Sequence, residues 1–313
     1  MPDLVEWREI LLIKLALTDL DDTLIPFGSS CVSTRSRAAI HAALDAGVRC
    51  GPVTGRLPAD MTWMFAGDDA CYATGAFANG QIVCIDGNVI KETTISAALL
   101  ARVERVLDEH GGGFLCLYDP WELGKIAYVT NEPERLRKNP PPTYGDITWT
   151  VGKVWDFPTQ YCDSAGPAYV KANIQTTCSA PERSMLAEYL RNEIPDLDFV
   201  LPSAKAAVID IVPCGWNKGS AVYTLAGALG LLPEEIAVFG DSENDLAMIE
   251  AVKNSIAVAN ASAAVNSHAR WHIGLCNDGA VDDALFDIAS CALKGEMPTF
   301  MADAQLNVRE DHR

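Results

Sequence analysis

The architecture of this chain is set by the stretch Leu15-Ala16-Leu17-Thr18-Asp19-Leu20-Asp21-Asp22-Thr23-Leu24, in which an apolar run leads directly into three carboxylates. Residues 11–17 have the composition of a buried strand in a parallel sheet. Side chains alternate along an extended chain, so Asp19 and Asp21 are expected to point the same way from the strand end. Two anions so placed repel each other unless a cation lies between them, and a hard divalent metal ion is the expected cation.

Length and composition indicate a globular protein with two structural domains, since the chain has 313 residues of which 49% are hydrophobic. No stretch approaches the roughly 18 apolar residues of a membrane-spanning helix. The amino terminus has no secretory-signal pattern, so we expect a cytoplasmic protein without a membrane partner. Its ten cysteines include no C-x-x-C pair, and we expect reduced thiols rather than disulfides or a zinc site.

The net charge of −18 bears on the class of partner. A nucleic-acid partner is not expected, because a phosphate backbone demands a surplus of Lys and Arg. A small anionic substrate remains allowed if a metal ion and a few placed cations neutralise it locally. The oligomeric state is not indicated by the sequence.

The hydrophobic pattern predicts an α/β core that is interrupted by an inserted module. A strand, a helix beginning at Ser33 or Thr34, and a second strand form a βαβ unit with a right-handed crossover. Asp86-Gly87 then marks a β-hairpin. Beyond Glu92 short strands mix with helices, which is typical of an α+β module. The α/β pattern resumes with a strand at 208–212, so we predict a core of residues 1–91 and 206–313 and an inserted domain of residues 92–205.

Four short signals occur at predicted strand ends or helix starts, where a parallel sheet would bring them to one crevice. A hydroxyl and flexible backbone at a strand end can bind phosphate oxygens, and a lysine that opens a helix suits an anion. In order along the chain the signals are Asp19-Leu20-Asp21-Asp22-Thr23, Thr54-Gly55-Arg56, Lys218 within Trp216-Asn217-Lys218-Gly219-Ser220, and Gly240-Asp241-Ser242-Glu243-Asn244-Asp245.

These motifs, in this order, resemble those of the haloacid dehalogenase (HAD) superfamily of phosphohydrolases, in particular its Cof-type branch with a type IIB cap. The resemblance covers about residues 10–290. Three further segments are family-like: Ala78-Asn79-Gly80, Asp210-Ile211-Val212-Pro213 and Asn277-Asp278-Gly279-Ala280-Val281. The resemblance implies a three-layer Rossmann-like core with a parallel sheet and an inserted α+β cap that closes over the substrate.

The resemblance also implies roles for the site residues. Asp19 would be the nucleophile that forms an aspartyl-phosphate, and Asp21 the general acid and base. Mg²⁺ would be held by Asp19, the backbone carbonyl of Asp21 and Asp241, with Asp245 in support through the metal's water ligands. Thr54, Gly55, Lys218 and Asn244 would bind the phosphoryl group, with Thr54 and Lys218 also stabilising the charge that develops during its transfer.

Two features lie outside these roles. Asp22 stands where the Cof-type pattern usually has Gly, and Arg56 is expected to tether its loop rather than contact substrate. In the cap, where substrate choice would be made, the polar and aromatic candidates are Trp121, Tyr128, Trp149, Trp155, Tyr161 and Lys171.

The sequence therefore predicts a Mg²⁺-dependent phosphomonoesterase that acts on a small phosphorylated metabolite, with a sugar phosphate favoured by resemblance. Two alternatives stay open. The first is a phosphosugar mutase that uses the same aspartyl-phosphate but returns the phosphoryl group to the substrate. The second is a phosphometabolite-binding protein that keeps the fold without turnover.

Overall fold

The predicted parallel sheet is present in the computed structural model, which describes residues 12–122, 126–129, 168–176, 178–202 and 206–301. Strand β1 (Leu15–Thr18) lies inside the sheet and pairs in parallel with β2 (Arg49–Pro52) on one side and β11 (Ile236–Gly240) on the other. Its four side chains are all buried, as expected for the apolar run that precedes Asp19. From edge to edge the strands described are β13 (Trp271–His272), β12 (Asn254–Ala257), β11 (Ile236–Gly240), β1 (Leu15–Thr18) and β2 (Arg49–Pro52).

Helices cover both faces of this sheet because its buried side chains alternate. Ala16 packs on one face with residues of α1 (Thr34–Asp45) and α8 (Ala280–Lys294). Leu17 packs on the other face with residues of α5 (Lys218–Leu229) and α6 (Leu246–Ala251). The result is the three-layer α/β core that the sequence predicts.

The helix boundaries follow local capping chemistry. Helix α1 begins after Ser33, whose hydroxyl oxygen accepts a hydrogen bond from the backbone N–H of Ser36 at 2.9 Å. Helix α5 begins after Asn217, whose side chain accepts from the N–H of Ser220, and it ends at Gly230 in the left-handed conformation. The shorter helices α2 (Pro58–Met64) and α7 (Ala263–His268) complete the described part of the core.

A small antiparallel sheet contains the predicted hairpin. Its strands are β3 (Gly75–Phe77), β4 (Ile82–Ile85) and β5 (Asn88–Glu92). Asp86 and Gly87 both have positive φ, 51° and 77°, as the turn of a two-residue hairpin requires. Strand β3 is shorter than the predicted 70–77, because residues 69–71 form a 3₁₀ turn.

The inserted α+β module is an antiparallel sheet covered by two helices, α3 (Ala97–His110) and α4 (Ala180–Glu193). Apolar residues of both helices, such as Leu100 and Leu190, pack against the sheet in one cluster. We call this module the cap. In spatial order its described strands are β7 (Ile126–Val129), β6 (Gly113–Tyr118), β8 (Lys171–Thr176), β10 (Val208–Pro213) and β9 (Leu197–Val200).

Strand β10 differs from the expectation, since we assigned 208–212 to the resumed core pattern. In the structure β10 lies in the cap sheet, antiparallel to both β8 and β9. Its four central residues are buried, so its composition is that of a buried core strand, and periodicity alone does not distinguish the two. The division into 1–91 with 206–313 and 92–205 stays a prediction, and this pairing favours a boundary after β10.

Two other expectations concern a strand in the cap and the lack of a membrane-spanning helix. The predicted strand at 147–151 lies outside the described residues. Within the described ranges, no helix combines the length and the apolar character needed to cross a membrane.

Candidate active site

The carboxyl ends of three neighbouring strands bring the predicted site residues together. Asp19 follows β1, Thr54 follows β2 by two residues, and Asp241 follows β11 directly. The backbone N–H of Asp19 donates to the carbonyl of Phe239 at 2.9 Å, which extends the pairing of β1 and β11 to the site itself. The crevice beyond the strand ends is the usual ligand site of such sheets, and the sheet order explains why distant motifs meet there.

Lys218 is the buried cation of this site. It is the first residue of α5 and its side chain is 1% exposed. Its Nζ donates to Asp19 Oδ1 at 2.7 Å and to Asp245 Oδ1 at 2.5 Å. Burial alone would lower the pKa of Lys218, but attraction to the Asp19 and Asp245 carboxylates outweighs it and the pKa is raised. Lys218 therefore stays protonated and supplies a fixed positive charge beside Asp19.

Asp245 shapes the turn that carries Asp241. Its side chain is fully buried, and its Oδ2 accepts from the backbone N–H groups of Asp241 at 2.9 Å and Ser242 at 3.2 Å. Gly240 is required here, because a Cβ on it would lie 2.7 Å from the Cβ of Asp245. Both oxygens of Asp245 are thus engaged by the protein, as expected of a supporting residue rather than a direct metal ligand.

Asp19 and Asp241 keep one carboxylate oxygen each for a ligand. The hydroxyl of Thr23 donates to Asp241 Oδ1 at 2.9 Å, and Lys218 holds Asp19 Oδ1. Within the described residues no hydrogen bond engages the Oδ2 of either carboxylate. Burial raises the pKa of Asp241 to about 7, with Asp245 adding to the effect. Burial also raises the pKa of Asp19 well above its ordinary value, although Lys218 opposes that shift.

The donor set suits a hard divalent cation. Asp19, Asp241 and Asp245 each present a carboxylate oxygen, and these atoms all lie within 4.8 Å of one another. Two buried carboxylates and a partly buried one, beside a single lysine, leave an excess of negative charge that a bound cation would neutralise. Oxygen ligands of this kind fit Mg²⁺, which would be held by Asp19 and Asp241.

Asp21 lies apart from this carboxylate cluster, although the sequence led us to expect a metal between Asp19 and Asp21. Its carboxylate accepts two hydrogen bonds from Arg56, from Nε at 2.9 Å and from Nη2 at 2.6 Å. The chain turns after Thr18, where β1 ends, so strict alternation along a strand no longer governs the direction of Asp21. Each of the two carboxylates therefore accepts hydrogen bonds from a different cation, Asp19 from Lys218 and Asp21 from Arg56. The expected tethering role of Arg56 is supported by these contacts.

Apart from Lys218 at the start of α5, the phosphate-binding residues that we predicted lie in the turns after β2 and β11. Thr54 is buried, and its Oγ1 accepts from the backbone N–H of Arg56 at 3.1 Å, so its own O–H remains a donor. Gly55 packs closely, since a Cβ on it would lie 3.0 Å from Asn79 Oδ1. The amide oxygen of Asn244 accepts from the hydroxyl of Ser242 at 2.7 Å, which orients its side chain in the turn after β11.

Asp22, the departure from the family pattern, occupies a backbone conformation that explains the usual Gly. Its φ is 60°, in the left-handed region that Gly adopts without strain and that Asp tolerates better than most residues. Its carbonyl accepts from Asn260 Nδ2 at 2.7 Å, and its charge raises the pKa of nearby Asp241 as a minor contribution after burial.

Sequence reasoning missed a second polar network, which joins the cap to the loop after β2. It consists of Lys171, Asp210 and Asn79, all three buried. Asn79 and Asp210 stand in segments that the sequence marks only as family-like, and Lys171 is one of the six cap candidates. Of the other five, the side chain of Tyr128 and all of Trp149, Trp155 and Tyr161 lie outside the described residues.

The chain resembles known proteins along most of its length. It is 31% identical over 208 residues to a phosphoglycolate phosphatase from Methanothermobacter thermautotrophicus, a match that covers 66% of this chain and 83% of that protein. It is 27% identical over 267 residues to the 5-amino-6-(5-phospho-D-ribitylamino)uracil phosphatase YwtE from Bacillus subtilis, covering 80% and 88%. Two other curated relatives are matched over only 15% and 24% of their own length.

A solved structure has a similar fold, and a family profile matches most of the sequence. The HAD subclass IIB sugar phosphatase BT4131 superposes with a TM-score of 0.67 at 18% identity, over 87% of this chain and 97% of that one. Residues 16–285 match the profile of the haloacid dehalogenase-like hydrolases. The fold agrees with the predicted type IIB cap, and the chain belongs to the haloacid dehalogenase-like hydrolases, as its motifs predicted.

Proposed function

We propose that this protein is a Mg²⁺-dependent phosphomonoesterase that hydrolyses a small phosphorylated metabolite through an aspartyl-phosphate on Asp19. One observation carries the proposal: Asp19 is a buried carboxylate with one oxygen held by the Lys218 ammonium at 2.7 Å and Asp241 beside it. A carboxylate that is fixed in position next to cationic charge suits attack on a phosphoryl group, whose oxygens those charges would stabilise.

In the first half of the reaction, the carboxylate of Asp19 attacks phosphorus and the bond to the leaving oxygen breaks. Lys218 orients Asp19 and stabilises the developing charge, and the hydroxyl of Thr54 donates to a phosphoryl oxygen. Mg²⁺ held by Asp19 and Asp241 would supply further positive charge for this transfer. Asp21 protonates the leaving oxygen, with Arg56 holding its carboxylate near the end of β1.

In the second half, Asp21 removes a proton from the water that attacks the aspartyl-phosphate. Asp19 is regenerated and inorganic phosphate leaves. The same carboxyl group thus acts first as acid and then as base, as the two opposite proton transfers require.

The substrate class is supported by the relatives' names and by the chain's charge. Those names cover phosphoglycolate, a phosphorylated ribitylaminouracil and sugar phosphates, all small phosphate esters. We favour a sugar phosphate, and we expect no nucleic-acid partner because the net charge is −18. A cytoplasmic location belongs to the same proposal, and it is supported by nine described cysteines that are all free thiols.

Hydrolysis of p-nitrophenyl phosphate with and without Mg²⁺ tests the reaction. Asp19→Asn keeps the size of the side chain but removes the nucleophile, and we expect it to abolish release of p-nitrophenol. Asp22→Asn is the matched control, since it makes the same change three residues away at a position outside the mechanism. Turnover that survives Asp19→Asn or thorough chelation would contradict the proposal.

A panel of phosphoglycolate, sugar phosphates and the phosphorylated ribitylaminouracil then identifies the substrate. Release of inorganic phosphate supports the phosphatase, whereas conversion of one sugar phosphate into an isomer supports the mutase. Binding of these esters without either product supports the non-catalytic alternative.

A further inference from the structure

Lys171 is a buried cation that links the cap to the loop after β2. It lies on the cap strand β8, and its side chain is 7% exposed. Its Nζ lies 2.7 Å from Asp210 Oδ1 on the neighbouring strand β10 and donates to the backbone carbonyl of Gly55 at 3.2 Å. A side chain of the cap thus contacts the Thr54-Gly55-Arg56 loop directly.

The partner of Lys171 extends the network to a strained turn. Asp210 Oδ2 accepts from Asn79 Nδ2 at 2.7 Å. Asn79 and the preceding Ala78 have φ of 57° and 51°, in the left-handed region that residues with a side chain rarely adopt. Such strain persists only where surrounding contacts enforce it, and it concentrates at functional sites.

All three carbonyls of the Thr54-Gly55-Arg56 loop accept hydrogen bonds, from the Ala78-Asn79 turn or from Lys171. The carbonyl of Thr54 accepts from the N–H of Asn79 at 2.9 Å and that of Arg56 from the N–H of Ala78 at 2.8 Å. The carbonyl between them, that of Gly55, accepts from Lys171 at 3.2 Å. Two contacts come from the backbone of one turn, and the third comes from a single cap side chain.

The loop held in this way controls two groups of the proposed mechanism. Its first residue, Thr54, is the proposed phosphoryl ligand. Its last, Arg56, makes the two hydrogen bonds that hold the carboxylate of Asp21. A displacement of the Gly55 carbonyl would therefore move a phosphate ligand and the general acid together.

A stabilising ion pair alone does not account for this arrangement. Burying two charges costs solvation free energy that their attraction often fails to exceed, and apolar residues of similar volume commonly stabilise a core as well or better. Lys171 makes one contact that an apolar residue cannot replace, the hydrogen bond to Gly55, and that contact leads to the reaction site.

We propose that Lys171 is a positioning residue through which the cap sets the geometry of the phosphate-binding loop, and through Arg56 that of Asp21. This inference rests on the proposed function. It assigns the cap strand β8 a part in catalysis that does not depend on contact with substrate.

Two double variants separate the hydrogen bond from the charge. Lys171→Met with Asp210→Asn removes both buried charges and the donor to Gly55. Lys171→Gln with Asp210→Asn removes the same charges but retains an N–H donor, in a side chain of nearly the same size. Arg191→Met is the matched control. Arg191 is another cap cation that donates to a backbone carbonyl, but its acceptor is Phe199, within the cap and away from the loop.

Three quantities are measured for each variant: urea unfolding, kcat and KM with p-nitrophenyl phosphate, and calorimetric binding of inorganic phosphate in the presence of Mg²⁺. We expect the Met variant to fold but to lose kcat/KM by on the order of 10- to 100-fold, since small misplacements of catalytic groups have such effects. Its phosphate affinity should also fall. The Gln variant should recover a large part of both losses, and Arg191→Met should lose neither.

Equal kcat/KM and phosphate affinity for the Met and Gln variants would overturn the proposal, as would wild-type values for the Met variant. If the Met variant does not fold, the Gln variant still decides, because loss of activity to the background level in a folded Gln variant contradicts rescue by a donor. If the wild-type protein hydrolyses no ester, the proposed function fails by itself. Phosphate affinity across the variants then tests the positioning role independently.

Discussion

Replacing Lys218 by Met should destabilise the metal-free protein strongly. The ammonium is 1% exposed and lies 2.7 Å from Asp19 Oδ1 and 2.5 Å from Asp245 Oδ1. Its removal leaves two buried carboxylates without their cation, and breaking a buried ion pair in this way costs about 3–5 kcal/mol. We call this loss in the free energy of unfolding the deficit. Asp245 also anchors the turn that carries Asp241, so Mg²⁺-dependent activity should be lost as well.

The pH dependence of this deficit follows from the direction of the pKa shifts. The folded protein raises the pKa of Lys218, so its stabilisation is fully present below the lysine's unfolded pKa of about 10.4 and is lost only above that. It is constant from mildly acid to neutral pH. In the variant, burial without the ammonium favours protonated Asp19, whose pKa burial already raises, so the loss of stability should shrink as the pH falls.

Urea unfolding in the presence of a chelator, followed by circular dichroism at neutral and mildly acid pH, measures the deficit. Lys253→Met is the matched control. Lys253 also forms an ion pair at 2.5 Å, with Glu234, but its side chain is 62% exposed. Lys253→Met should therefore change the free energy of unfolding by no more than about 1 kcal/mol. Similar losses for the two variants, or a Lys218→Met deficit that does not vary with pH, would refute this reasoning.

Further predictions concern the metal site, the left-handed conformation of Asp22 and the packing of the sheet. Burial raises the pKa of Asp241 to about 7, so calorimetry should find Mg²⁺ affinity increasing as the pH rises through that value, and an affinity independent of pH would contradict it. The stabilisation from protonated Asp241 is complete below its unfolded pKa of about 3.9 and is lost as the pH rises through its folded pKa, so the Tm of the metal-free protein should fall over that range. Asp22→Gly should relieve the left-handed conformation and raise the free energy of unfolding by about 0.5–1 kcal/mol, whereas Asp22→Val should lower it; equal values for both would argue against strain. Gly51→Ala should destabilise by about 2–3 kcal/mol in urea unfolding, because its Cβ would lie 1.7 Å from the Thr74 carbonyl oxygen; Gly227→Ala, with open space around it, should be neutral or stabilising, and the reverse order would be inconsistent with the packing.

The core of the site could be predicted from sequence because its chemistry is coded in short segments. Asp19, Thr54 and Asp241 each follow a strand, and Lys218 opens a helix. Parallel strands place their carboxyl ends along one edge, so local patterns were sufficient to bring these residues together. Capping residues such as Ser33 set the helix boundaries in the same local way.

Contacts between distant segments could not be predicted in the same way. The pairing of Arg56 with Asp21 depends on how two loops meet, and nothing in either segment states the direction of the Asp21 side chain. Strand β10 is buried on both faces, so its composition resembles that of a core strand although it pairs in the cap sheet. The contact of Lys171 with Gly55 joins residues 116 positions apart and has no local signature.

Acid-quenched mass spectrometry of the protein during its first turnover of a phosphate ester tests the central claim most directly. Acid preserves an acyl phosphate long enough for peptide analysis, so the modified residue can be located. We predict one added phosphoryl group on the peptide that contains Asp19, formed in the presence of Mg²⁺ and absent in Asp19→Asn. Release of inorganic phosphate without any phosphorylated peptide, or with the phosphoryl group on another residue, would contradict the account.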